Sequence, residues 1–381
     1  MIYLNNAATS FPKPREVNEA VVSHLAAEPF HAGRAGFEQQ AEDMVWACRQ
    51  GLADLFGVED PAHIVLTSGA TESLNLALFG SDLRGHVVTT ATEHNSVLRP
   101  LNRLKEQRGV ELTVVACDDN GRVPPSAIEQ AIRPDTCALV VNHSSNVTGT
   151  VQDLEAFGQV AQRHNALFVV DASQSAGVVP IDVGSCHIDL LAFAGHKSLW
   201  GIPGIGGLYV REALSLEPLM VGGTGVRSDL PDQPRDMPMY YEAGTQNMPG
   251  IAALHAGVNF VLQHGVGEMG RRRREHVECL VPELERIPGV GIHARDAALE
   301  YGGMLSFNIE GISPEDVGYM LESCFGIMVR TGLHCAPLIH KALGSFPHGS
   351  VRVSPSYFTT DEDIDQFVDA VQAVTALECV V

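Results

Sequence analysis

Lysine is scarce in this 381-residue chain, with only four, and cationic residues as a class are few: 25 Lys and Arg stand against 46 Asp and Glu. A formal charge of −21 offers nucleic acid or an anionic membrane no positive surface, so neither is an expected partner. The one basic run, Arg271-Arg272-Arg273-Arg274, is interleaved with Glu268, Glu275 and Glu278 and reads as a solvated helix face. No apolar stretch reaches the roughly 20 residues that cross a bilayer. The opening Met1-Ile2-Tyr3-Leu4-Asn5-Asn6 has neither the charged nor the apolar region of a signal peptide, and a cytoplasmic location is expected. Eight cysteines occur without a CxxC pair. Buried thiols are therefore expected rather than disulfides or a zinc site, and no metal is expected. The piece Gly204-Ile205-Gly206-Gly207-Leu208-Tyr209 fails GxGxxG at its last position and precedes a strand. No phosphate-binding GxxxxGKS/T is present. Nicotinamide chemistry and simple nucleotide hydrolysis both fit poorly.

What remains is an α/β rhythm. Short apolar runs at 63–67, 86–90, 112–116, 138–142, 167–171, 190–194 and 205–210 alternate with helix-length segments. Runs apolar on both faces suit strands covered by helices on both sides, in a largely parallel sheet. A Gly-, Pro- and Asp-rich loop covers 222–249, and after it come helices near 251–263 and 268–286, then mixed β and α signals. This predicts a large domain over 13–250 and a smaller α+β domain over 251–381, with residues 1–12 grouped with the latter.

Ligands of open α/β sheets bind beyond the carboxyl ends of the strands, so the residues standing there matter. Successive ends deliver Ser68-Gly69-Ala70-Thr71, Thr92-Glu93-His94, His143-Ser144-Ser145-Asn146, Ala172-Ser173-Gln174 and Gly195-His196-Lys197. Small and hydroxyl residues before a helix suit a phosphate, although Ser68–Thr71 alone fits a plain N-cap equally well. Of the four lysines, Lys13 sits between two prolines, Lys105 lies in a charged helix and Lys341 in a polar stretch. Only Lys197 follows a buried strand, where desolvation favours the free amine that an aldehyde requires. Asp171 closes the apolar run Leu167-Phe168-Val169-Val170. A carboxylate there needs a cationic partner, and a protonated pyridine nitrogen is a suitable one.

These motifs resemble the class V aminotransferase-like branch of fold-type I pyridoxal phosphate enzymes, and within it the cysteine desulfurases. The resemblance runs from Tyr3-Leu4-Asn5-Asn6-Ala7-Ala8-Thr9 to the last helix. It implies a cofactor held by Lys197, with Ala70, Thr71 and His196 at its phosphate, His94 stacked on its ring, Asp171 at the pyridine nitrogen, and Asn146 and Gln174 near its phenolic oxygen. Glu242-Ala243-Gly244-Thr245 resembles a segment in which Thr245 reaches the phosphate of a second copy, implying a homodimer with shared sites. Arg330-Thr331-Gly332-Leu333-His334-Cys335-Ala336-Pro337 resembles the short cysteine loop of Suf-type desulfurases and selenocysteine lyases. Arg352 matches the residue that pairs with the substrate carboxylate, beside Asn146, and a planar guanidinium suits that task. The implied reaction moves sulfur from L-cysteine to the Cys335 thiolate as a persulfide and releases alanine. Lys197 would act as base, and His334 or His94 would take the thiol proton; a protein would then accept the sulfur. Selenocysteine lyase, cystine C–S lyase and small-amino-acid aminotransferase remain open, as does a sulfur carrier that has kept the fold without catalysis. One departure stands out. Where many members have Ser-Gly-His-Lys, this chain has Ala194-Gly195-His196-Lys197, losing a phosphate hydrogen bond of about 1.5–3 kcal/mol, for which Thr71, His196 and Thr245 are expected to compensate.

Overall fold

The computed structural model describes residues 1–27, 38–225, 227–294 and 301–378. A short strand β1 (Ile2–Tyr3) precedes helices α1 (Arg15–Ala26) and α2 (Glu38–Phe56). The alternation follows: β2 (Ile64–Thr67), α3 (Ala70–Gly80), β3 (His86–Thr90), α4 (Asn95–Arg108), β4 (Glu111–Val115), α5 (Pro125–Ala131), β5 (Thr136–Asn142), α6 (Leu154–Arg163), β6 (Leu167–Asp171), β7 (Leu190–Ala194) and β8 (Gly206–Val210). These seven strands form one sheet in the order β2-β8-β7-β6-β5-β3-β4. Only β8 opposes its neighbours, so the other six point their carboxyl ends to one edge. The expected strands are all present, with bounds displaced by two residues at most.

Double coverage explains their apolar sequences. Phe168 and Val170 of β6, with Leu191 and Phe193 of β7, face one core. Val169, Leu190 and Ala192 face the other. Each such large apolar side chain contributes about 1.5–3 kcal/mol when fully buried, and successive residues feed opposite faces because the strand period is two.

The rest of the chain gives α7 (Met248–His264), α8 (Val266–Glu285), β9 (Val290–His293), β10 (Leu305–Ile309), α9 (Pro314–Phe325), β11 (Ile327–Met328), β12 (Arg330–Gly332), α10 (Pro337–Ala342), β13 (Ser350–Val353) and α11 (Asp361–Glu378). Here an antiparallel sheet runs β12-β13-β10-β9, and β1 pairs in parallel with β11. The boundary expected near 250 falls within α7, yet α7 packs on α1 and α2, and its Ile251, Leu254, Val258 and Val261 join a core of the large sheet. The separate core of the smaller sheet takes up at Val277 in α8 and includes Ile2 and Leu4. Hydrophobic packing thus changes sides inside α8. The first residues touch both units: Asn6 Nδ2 donates to the carbonyl of Ser354 at 3.0 Å, and the Ser10 N–H to that of His196 at 3.1 Å.

Two surface expectations need correction. The run 271–274 is not one solvated face, because at 3.6 residues per turn four consecutive positions sweep the helix circumference. Arg271 lies outside between Glu268 and Glu275, whereas Arg273 turns inward and is 4% exposed. It donates to Ser198 Oγ at 2.7 Å and to the Gly303 carbonyl at 3.4 Å. The described cysteines are free thiols as expected, but only Cys48 is buried; Cys279, Cys324 and Cys335 are exposed, and Cys379 lies outside the described residues. Among the described residues, no helix is long and apolar enough to cross a membrane.

Candidate active site

A cavity of about 410 Å³ opens at the carboxyl edge of the large sheet, where the smaller unit leans over it. Its floor comes from strand ends. Between β2 and α3, Gly69 caps the helix without any side-chain bond to the first-turn N–H groups, which leaves those donors and the helix dipole free for an anion. Ser68 is not that cap: its N–H and hydroxyl both bond Glu72 Oε2, at 2.7 and 2.5 Å. Thr71 Oγ1 meets Ser96 Oγ at 2.9 Å. Ala70, Thr71, Ala194 and His196 line this end of the cavity. Burial, then the charges of Lys197 and Lys13, pushes His196 down to about 4, and its buried Nδ1 has no partner among the described residues.

Asp171, at the end of β6, is 5% exposed and accepts from the Ser173 N–H at 2.9 Å and from the Ser173 hydroxyl. Lys197 reaches the same space from the end of β7. Burial pushes its ammonium down to about 8 against the opposing pull of Asp171, with Arg352 pushing further the same way and Cys335 opposing. His94 caps α4. Its Nδ1 accepts from the Ser96 N–H at 3.0 Å, so the neutral ring carries its proton on Nε2. Burial lowers its basicity, as do Lys197 and Arg352, while Asp171 works against them.

The remaining wall belongs to the smaller unit. Arg352, on β13 and 3% exposed, donates to the Asn146 carbonyl at 2.7 Å and to Asn5 Oδ1 at 3.3 Å. Its buried Nε is unpartnered, and burial, then Arg330, lowers it to about 9, with Cys335 and Tyr3 opposing. Asn146 Nδ2 donates to the His334 carbonyl at 2.5 Å, and its Oδ1 is left unpartnered. Cys335 sits in the four-residue connection between β12 and α10. Both His334 (φ 48°) and Cys335 (φ 59°) are left-handed, a conformation costing about 1–3 kcal/mol each. Their pairing turns the His334 ring inward and the thiol outward. The loop is tied down where the Asn95 N–H donates to the Cys335 carbonyl at 2.7 Å.

The family model described as Aminotransferase class-V matches residues 2–367. This chain belongs to that family. Among its relatives, a probable cysteine desulfurase of Methanothermobacter thermautotrophicus is 33% identical over 99% of this chain and 95% of its own length. The cysteine desulfurase IscS of Serratia proteamaculans is 32% identical over 97% and 92%. The apo structure of a cysteine desulfurase from Thermococcus onnurineus superposes with a TM-score of 0.91 at 33% identity, covering 98% of this chain and 94% of that one.

Within this class-V fold, eleven of the twelve residues given a role from sequence line the cavity: Ala70, Thr71, His94, Asn146, Asp171, Gln174, His196, Lys197, His334, Cys335 and Arg352. Thr245 does not; it is exposed on the chain's own surface. His334 is corrected as a proton acceptor for Cys335. Its Nε2 is engaged with Ser350, 3.1 Å from the carbonyl oxygen, and burial, then the charge of Arg352, holds the ring far below its ordinary basicity. His94 presents a donor to the cavity in this tautomer. Sequence reasoning assigned no role to Arg330, Ser173 or Asn5, although all three stand in motifs already noted. Their neighbours across the sheet, Arg352 for Arg330 and Ser354 for Asn5, are visible only in the fold.

Proposed function

We propose that this chain moves the sulfur of L-cysteine onto Cys335 and releases alanine, using pyridoxal phosphate held by Lys197. The observation that carries the reading is the convergence of Lys197, Asp171, Arg352 and an exposed Cys335 on one cavity. Its likeness to desulfurases over nearly the whole chain supports it.

The donor set fits the cofactor. Uncapped N–H groups at the start of α3, with Thr71 and the unpartnered His196 Nδ1, suit a phosphate. Asp171 suits a protonated pyridine nitrogen, and Gln174, with its amide fixed on the Ala7 carbonyl at 2.9 Å, suits the phenolic edge. When bound, pyridoxal phosphate supplies an electron sink for the substrate's carbons. The chain's residues do the rest. Arg352 holds the α-carboxylate, with Asn146 setting its angle. Lys197 moves protons at the substrate carbons through its Nζ, and His94, which keeps a proton on Nε2, would lie against the bound cofactor. The Cys335 sulfur bonds to the substrate sulfur as the sulfur–carbon bond breaks, giving a persulfide, while the electron pair of that bond returns to carbon, which takes up a proton in place of the one the Cys335 thiol gives up.

A second copy of the chain completes the site by bringing its own Thr245 to the phosphate. Exposed Leu219, Met220, Val221 and Leu230 offer an apolar surface for that pairing. The sulfur then passes to an acceptor protein in the cytoplasm, which an exposed thiol permits. To test this, Cys335→Ala is incubated with L-cysteine, and alanine and protein persulfide are measured. The cofactor spectrum should still respond to cysteine, while alanine release falls by about a hundredfold or more because the covalent route is closed. A variant releasing alanine at the wild-type rate would make the chain a lyase or aminotransferase instead.

A further inference from the structure

Lys13, from sequence a lysine between two prolines, stands directly behind the turn that carries Lys197. Its ammonium donates to Ser10 Oγ at 2.7 Å, to the His196 carbonyl at 3.1 Å and to the Gly201 carbonyl at 2.6 Å. Those three bonds use all its protons, and no carboxylate among the described residues pairs with it. The two carbonyls flank the segment Lys197–Trp200. That segment is a tight device in itself: the Gly201 N–H closes on the Gly195 carbonyl at 2.8 Å, the Trp200 N–H on that of Lys197 at 3.0 Å, and Trp200 is left-handed at φ 62°.

The same His196 carbonyl also accepts from Thr9 Oγ1 at 3.1 Å and Ser10 Oγ at 3.2 Å. A single backbone oxygen thus gathers four donors from the segment Thr9–Lys13, the Ser10 N–H among them. Burial pushes Lys13 down to about 8, so holding a cation here costs stability, and nothing in surface solubility calls for it. On the opposite flank, Arg273 holds Ser198 Oγ at 2.7 Å.

We propose that Lys13 is a positioning residue for Lys197: by fixing the carbonyls at both ends of the turn, it fixes where the Lys197 amine stands in the cavity. The proposal rests on the reading of Lys197 as the cofactor lysine. A turn freed at one end lets the amine drift, and misplacement of a reacting group by an ångström slows reaction by up to a hundredfold.

The test uses purified protein stripped of cofactor and given pyridoxal phosphate, reading the rate at which a borohydride-reducible link forms and mapping that link by peptide mass. Lys13→Met should fold, form the link at Lys197 on the order of tenfold to a hundredfold more slowly, and shift the pH midpoint of the visible absorbance by about half a unit. Lys13→Arg, which keeps a cation and its donors, should recover most of the rate. If the methionine variant fails to fold, Lys13→Gln takes its place with the same expectation. A folded neutral variant with wild-type rate and midpoint overturns the proposal. A wild-type link that maps to a lysine other than Lys197 instead overturns the assignment on which it rests, so the two failures are told apart.

Discussion

Lys197 and Cys335 face one cavity, yet the chain holds them in opposite ways. Lys197 follows a fully buried strand, on a turn gripped by Lys13 and Arg273. Cys335 is exposed on a short connection of the smaller unit, where two consecutive left-handed residues aim it. The difference matches what each group would do in the proposed sulfur transfer. For the proposed roles, an amine that reacts unprotonated near neutral pH gains from burial, whereas a thiol that would hand sulfur on has to remain reachable. The first half of the site is therefore built into the sheet, and the second is built into a loop.

That contrast can be broken most completely at the lysine. Lys197→Ala should abolish the borohydride-reducible link to pyridoxal phosphate and the visible absorbance with it, while the fold persists. A variant still forming the link would show that burial at the strand end is not what selects the amine. A subtler measurement sharpens the same point in the unaltered chain. Burial lowers Lys197 to about 8 from an ordinary 10.5, so the free amine grows in as pH rises through about 8 and is nearly complete two units higher. The rate of link formation, followed by absorbance across pH 6–11, should climb about tenfold per unit below that midpoint and then level. A rise continuing to pH 10.5 would place Lys197 in water-like surroundings. The smallest effect is expected at Ala194, buried at the end of β7 and lining the cavity. Ala194→Ser adds a phosphate donor and should tighten the cofactor by up to tenfold, about 1.4 kcal/mol. Unchanged retention on dialysis would mean that the uncapped α3 N–H groups and His196 already saturate the phosphate.

Much of this was legible in the sequence because it depends on local pattern. Two-sided apolar runs give β5, β6 and β7 nearly residue for residue, and the strand-end rule then puts His94, Asp171 and Lys197 on one edge without any knowledge of distances. Contacts between distant segments were not legible. Nothing near Lys13 in the sequence announces residues 196 and 201 as its partners, and the Arg330 position opposite Arg352 exists only once β12 and β13 pair. Packing allegiance was hidden for a similar reason: α7 follows a loop that looks like a boundary, but its apolar face is matched by α1 and α2 from the start of the chain. The proton economy of His334 depends on Ser350, which its own neighbourhood does not reveal.

The buried Arg273 limits how this protein's surface can evolve or be redesigned. To a charge count, residues 271–274 are four interchangeable cations on an otherwise acidic molecule. Their environments differ: Arg271, Arg272 and Arg274 keep access to water, while Arg273 is walled in with its Nε unpartnered. Recharging this helix therefore leaves three positions free to vary. The fourth belongs to the interior, and its substitution would be felt at Ser198, one residue from Lys197, the proposed cofactor lysine.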